Sequence, residues 1–117
     1  MNSRGPSRVD LLQGTLDLLI LRTLRFGPTH GHAIAKHIQR TSEELLQVET
    51  GSLYPALHRL EGRGLIAASW ELSEKGKRAK YYRLTPSGKK HLTAEQTRWD
   101  RFSRAMGLVL KPVDQEQ

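Results

Sequence analysis

The chain contains no cysteine, which excludes disulfides, thiolate metal sites and a cysteine nucleophile, and with them the small disulfide-stapled secreted domain. Acidic residues are scarce beside basic ones, 12 Asp and Glu against 19 Lys and Arg, for a formal net charge of +7. Aromatic residues are also few, two Trp, three Tyr and two Phe, so the place of each one carries information. Long apolar runs are missing too. The best candidate, residues 11–24, is interrupted by Gln13, Asp17 and Arg22 and falls short of the roughly 20 residues a membrane-spanning helix needs. It reads as a buried helix. With no export segment in view, the expected setting is the cytoplasm, without a membrane partner.

The chemistry of an enzyme is equally hard to find. Ser52, His58 and Asp17 supply the residue types of a catalytic triad but share no recognised motif, and no glycine-rich phosphate loop occurs. His30, His32 and His37 raise the question of zinc. On a helix, however, His32 and His37 point away from one another, and no carboxylate or thiol completes a site. The expectation is a protein that is not an enzyme and uses neither metal nor cofactor.

What is present favours a nucleic-acid binder. A chain of 117 residues accommodates one domain with a modest core. Its excess of Lys and Arg gains free energy by releasing counterions condensed on phosphates. Residues 1–9 are polar, include Gly5 and Pro6, and read as a disordered arm. Asp10 can cap the helix that follows. Its apolar positions, from Leu11 and Leu12 through Leu16, Leu19 and Leu24, cover nearly the whole circumference, so cover from a second subunit is expected. A short helix follows the Gly27-Pro28 break, over about 31–40. A connecting turn then tucks Leu45, Leu46 and Val48 inward.

The stretch GSLYPALHRLEGRGLI, residues 51–66, is the most informative. Proline is tolerated in a first helical turn, where backbone N–H groups have no intrahelical acceptor, so Pro55 implies a helix that begins shortly before it, with Thr50 or Ser52 as cap. On a helical wheel Leu53, Ala56, Leu57 and Leu60 share one face, while Tyr54, Pro55, His58, Arg59 and Gly62 lie opposite. The second face is free to recognise something. Arg59 has two readings, an ion pair with Glu61 or Glu43 and a phosphate contact. Strands over 65–72 and 79–84 follow, joined by the basic tip SEKGKR, which offers Lys75, Lys77 and Arg78, with Lys80 on the returning strand. Trp70 and Tyr82 are expected to pack this hairpin against the helices.

Thr85-Pro86 is a helix start that can carry the chain to about Gly107. Leu92, Trp99 and Met106 recur there every seventh residue, joined by Phe102 and Val109, a stripe suited to pairing with another helix. Three helices followed by a basic hairpin describe a winged helix-turn-helix, mainly α with a small β-hairpin, plus a C-terminal dimerisation helix. The division expected is 10–85 for the winged head, 86–110 for the dimerisation helix and 111–117 for a flexible tail.

At this point the sequence resembles the PadR-type transcriptional regulators, in particular the short-chain members. The likeness spans about residues 10 to 110 and is densest in LLQGTLDLLILRTL, GHAIAKHI, GSLYPALHRLEGRGLI, YYRLTPSGKKHL and EQTRWDRF. It implies a homodimeric repressor of double-stranded DNA targets, of a stress or efflux-type operon, released by a small aromatic effector. It places Ser52, Tyr54, Pro55, His58 and Arg59 on the recognition helix and Lys75, Lys77, Arg78 and Lys80 on the wing. It also puts Leu12, Leu16, Leu19, Leu92, Trp99, Phe102 and Met106 at the subunit interface, with Trp99 as the candidate effector contact. Many relatives have tyrosine where this chain has His32, so a contact made by that tyrosine is not carried over. The competing reading is a winged helix used as a protein-interaction adaptor without a DNA target.

Overall fold

The computed structural model describes residues 13–112. The arm, Asp10, Leu12 and the last five residues lie outside these. Four helices and three short strands follow one another as α1 (Gln13–Leu24), β1 (Thr29–His30), α2 (Gly31–Thr41), α3 (Thr50–Gly62), β2 (Ile66–Leu72), β3 (Arg78–Leu84) and α4 (Pro86–Val109). The fold is a winged helix whose wing is the β2–β3 hairpin. No helix among the described residues is long and apolar enough to cross a membrane.

The core forms where α1, α2 and α3 turn their aliphatic faces together. Leu16, Ile20, Leu21 and Leu24 of α1 meet Ile34 and Ile38 of α2 and Leu53, Ala56, Leu57 and Leu60 of α3, all buried. Removing each such Leu or Ile side chain from water stabilises the fold by about 1.5–3 kcal/mol. Thr23 is buried among them with its hydroxyl donating to the Leu19 carbonyl at 2.9 Å, so no donor is left unsatisfied there. Over its described residues α1 is covered largely by its own chain. Leu18 and Leu19 remain half-buried.

The sheet has one strand more than the expected hairpin. Thr29 and His30, just after the Gly27-Pro28 break, pair antiparallel with Tyr82 and Tyr81, giving the order β1-β3-β2. This strand ties the start of α2 to the root of the wing. His30 then caps α2, its Nδ1 accepting the Ala33 N–H at 3.2 Å.

Two local expectations are corrected. The α3 helix opens at Thr50 behind Glu49, whose carbonyl accepts from Ser52 and Leu53; Thr50 and Ser52 therefore lie inside the helix and do not cap it. Leu45 is exposed rather than tucked in, because Glu43 and Glu44 take left-handed φ values of 55° and 66° that turn it outward, while Leu46 and Val48 do pack on the core.

The start of α4 is held by a compact knot. The Thr85 hydroxyl accepts the Gly88 N–H at 3.0 Å and donates toward the Gly64 and Leu65 carbonyls, at 2.7 and 3.0 Å. The Thr85 N–H adds a bond to Leu65 at 3.1 Å. From there α4 runs about 36 Å at 1.5 Å per residue. Gly88 and Leu92 are buried, but every residue from 96 onward is exposed.

Candidate nucleic-acid interface

The leucine spacing of α3 fixes what its other side presents. With Leu53, Ala56, Leu57 and Leu60 turned inward, Ser52, Tyr54, Pro55 and His58 stand on the outer surface, Tyr54 being 45% exposed. Pro55 supplies no N–H to the carbonyl of Gly51, one turn earlier, and that residue lies in the exposed first turn, where water can satisfy it. Pro55 is thus the sixth residue of α3, inside the helix and one turn past the position its sequence reading expected.

Tyr54 does not hang free. Its ring lies across the first residue of α2, where a Cβ built on Gly31 would come within 2.8 Å of the Tyr54 Oη and 2.9 Å of its Cε1. Glycine at 31 makes this approach available. His32 is exposed and stacks on His30 at 6.5 Å between ring centroids.

Opposite α3 stands the wing. Its tip is closed by the Ser73 N–H to the Lys77 carbonyl at 2.7 Å and the Gly76 N–H to the Ser73 carbonyl at 2.9 Å. Gly76 has φ +76°, a conformation glycine adopts without strain. The register pairs Trp70 with Lys80 and Leu72 with Arg78. Paired residues share a face, and alternate residues along a strand return to it. Trp70, Leu72, Arg78, Lys80 and Tyr82 therefore form one surface, directed at α3.

Between this surface and α3 lies a cleft of about 590 Å³, lined by His32, Tyr54, His58 and Glu61 on one side and Trp70, Arg78 and Lys80 on the other. Arg78 rests over the Trp70 ring at 5.4 Å, and Lys80 lies 3.5 Å from Glu61 and 5.7 Å from the Tyr82 ring centre. Burial raises the Tyr82 phenol above its ordinary pKa, Lys80 opposes that, and Glu61 and Tyr54 add to it. Tyr82 is buried, as expected for a residue packing the hairpin down. Trp70 is not: it is 59% exposed, with Arg78 lying over its indole. This tryptophan is a wall of the cleft that helical-wheel reasoning had no means of finding, although strand alternation puts it on the same face as Arg78 and Lys80.

Arg59 pairs with neither Glu61 nor Glu43, the partners its sequence reading offered. Its Nη2 donates to Asp17 Oδ1 of α1 at 2.8 Å, with side-chain exposures of 35% for Arg59 and 17% for Asp17. Glu61 is engaged by Lys80 instead. The candidate interface residues also divide. Leu16 and Leu92 are 4% and 3% exposed within the single chain and contribute to its own core, so they leave no surface for a partner. Leu19 is half-buried. Trp99, Phe102 and Met106 are exposed along the outer half of α4, the Trp99 and Phe102 rings 5.9 Å apart.

This architecture has known counterparts. Residues 20–94 match the model of the transcriptional regulator PadR-like family. Transcriptional regulator Rv3488 of Mycobacterium tuberculosis is 31% identical over 87 residues, 74% of this chain and 78% of that protein. A transcriptional regulator from Clostridium thermocellum superposes with a TM-score of 0.77 at 31% identity, covering 85% of this chain and 93% of the other. A PadR family regulator from Eggerthella lenta does so with a TM-score of 0.72 at 33% identity, over 85% and 84% of the two chains. A family match that runs from the middle of α1 through the wing into α4, joined to these structural likenesses, means that the chain belongs to the PadR-like transcriptional regulators, proteins that act by binding DNA and not as enzymes.

Proposed function

We propose that this regulator is a cytoplasmic homodimeric repressor that reads a pseudo-palindromic operator, one α3 helix entering the major groove of each half-site. The observation that carries the reading is the cleft itself: Tyr54 and His58 on one wall face Arg78 and Lys80 on the other, on the side of α3 turned away from its leucines. A major groove admits a helix, and the wing then lies over the neighbouring backbone. Ser52, Tyr54, Pro55 and His58 are assigned to base edges and nearby phosphates, and Lys75, Lys77, Arg78 and Lys80 to phosphate. Two-fold symmetry would place half-sites roughly 34 Å apart or at a multiple of that. The partner-facing stripe is Trp99, Phe102 and Met106, with Leu19 beside it, and a small aromatic effector is assigned to the space between subunits next to Trp99.

The test begins with duplexes selected from random DNA at near-physiological salt. Tyr54→Ala is expected to weaken binding to the selected duplex by roughly tenfold and to leave binding to random duplex nearly unchanged. Lys77→Ala is expected to weaken both alike and to flatten the salt dependence, by about 0.9 in the log–log slope for one phosphate contact. Selection that yields no preferred sequence, with binding indifferent to salt, would favour the protein-adaptor reading.

A further inference from the structure

Arg59 lies on the DNA-reading helix, yet it faces α1. The bond from its Nη2 to Asp17 spans 42 residues of sequence, and its Nε is buried without a hydrogen-bond partner among the described residues. A guanidinium with one nitrogen so enclosed is fixed by its surroundings, not waving in solvent. Aliphatic side chains of α1 and α3 also meet in the core, and such packing is non-directional: it sets how close two helices come but only weakly how one is turned about its axis. A charge-assisted hydrogen bond is directional. Asp17 also borders a cleft shared with Arg63, His91 and Glu95, where α1, the end of α3 and the root of α4 converge.

We propose that Asp17 is a positioning residue for DNA reading: its carboxylate withholds Arg59 from phosphate and sets the rotation of α3 against α1, so that Tyr54 and His58 meet base edges in one register. This rests on the operator-reading role argued above. Asp17 thereby trades one cation's worth of general DNA affinity for selectivity, and it gives α1 a direct mechanical hold on the reading surface.

The experiment compares wild type, D17N and R59Q on the selected duplex and on random duplex over a range of salt. D17N removes a negative charge and frees Arg59. Its affinity for random duplex is expected to rise a few-fold and its salt slope to steepen by about 0.9, while its preference for the selected duplex falls roughly tenfold. R59Q is expected to lose the same preference with the random-duplex slope unchanged. A merely structural role would not steepen the slope in D17N. A shallower slope in R59Q would place Arg59 on phosphate and overturn the proposal, as would full selectivity in both variants. Where circular dichroism finds either single variant unfolded, the D17N/R59Q double variant takes its place, since it leaves no unpaired charge enclosed. It is expected to lose selectivity at the wild-type slope, and retained selectivity or a shallower slope overturns the proposal equally. A wild-type protein that shows no preference among duplexes would instead remove the operator-reading role itself.

Discussion

A methyl group at position 31 would sit 2.8 Å from the Tyr54 hydroxyl, so the first residue of α2 governs where the tyrosine of α3 can rest. The obstructing group is the end of a side chain, which can swing aside, so Gly31→Ala is expected to cost only about 1 kcal/mol or less in urea unfolding. It should nevertheless weaken the selected duplex about as much as Tyr54→Ala does, with random duplex unaffected, when both are measured by fluorescence anisotropy. An alanine variant that binds the selected duplex normally would separate Tyr54 from the reading task. At this scale the sequence was legible wherever one element's own period decided the outcome. Tyr54, Pro55 and His58 face outward because four apolar residues of the same helix face inward. The Asp17 partner of Arg59 escaped because it lies 42 residues away in sequence, and the exposure of Trp70 because strand alternation fixes which face a residue is on but not how closely that face is covered.

The elements themselves followed local chemistry closely. The α4 start at Thr85-Pro86, the α2 helix and the β2–β3 hairpin stand within a residue or two of their sequence expectations, since capping, proline placement and strand alternation act over a few residues. The two-residue β1 had no such signal, being too short to show a period; its partner, β3, lies some fifty residues away. The junction between head and α4 is the most demanding element contact. A Cβ on Gly88 would collide with the Leu65 carbonyl oxygen and stand 2.9 Å from Leu84 Cδ1, and the first of these is backbone that cannot swing away. Gly88→Ala is therefore expected to destabilise the protein by about 2–4 kcal/mol, a fall in thermal midpoint of more than about 10 °C for a domain of this size. Calorimetry that finds an unchanged midpoint would mean that α4 can shift on the head at little cost.

For the molecule as a whole, the unpartnered half of α4 is the conspicuous surface. Phe102 is 55% exposed, and Trp99, Met106 and Val109 lie exposed along the same stretch, an arrangement that contributes little to a lone chain. Replacing Trp99 and Phe102 by alanine is accordingly expected to leave circular dichroism unchanged but to raise a dimer dissociation constant at least about tenfold, given the 2 kcal/mol or more that central aromatic anchors contribute to interfaces. Sedimentation velocity at micromolar concentration checks this, and a wild-type protein that runs as a monomer would locate the stripe's partner elsewhere. The knot of Thr85 on the Gly64 and Leu65 carbonyls bears on what such a pairing could do. With α4 locked to the head at its base, two joined copies would behave as a caliper of fixed jaw width. Such an instrument rejects a target whose halves are a few base pairs too near or too far, however perfect each half is, and any agent that changes how the two α4 helices cross resets the gauge without touching the jaws.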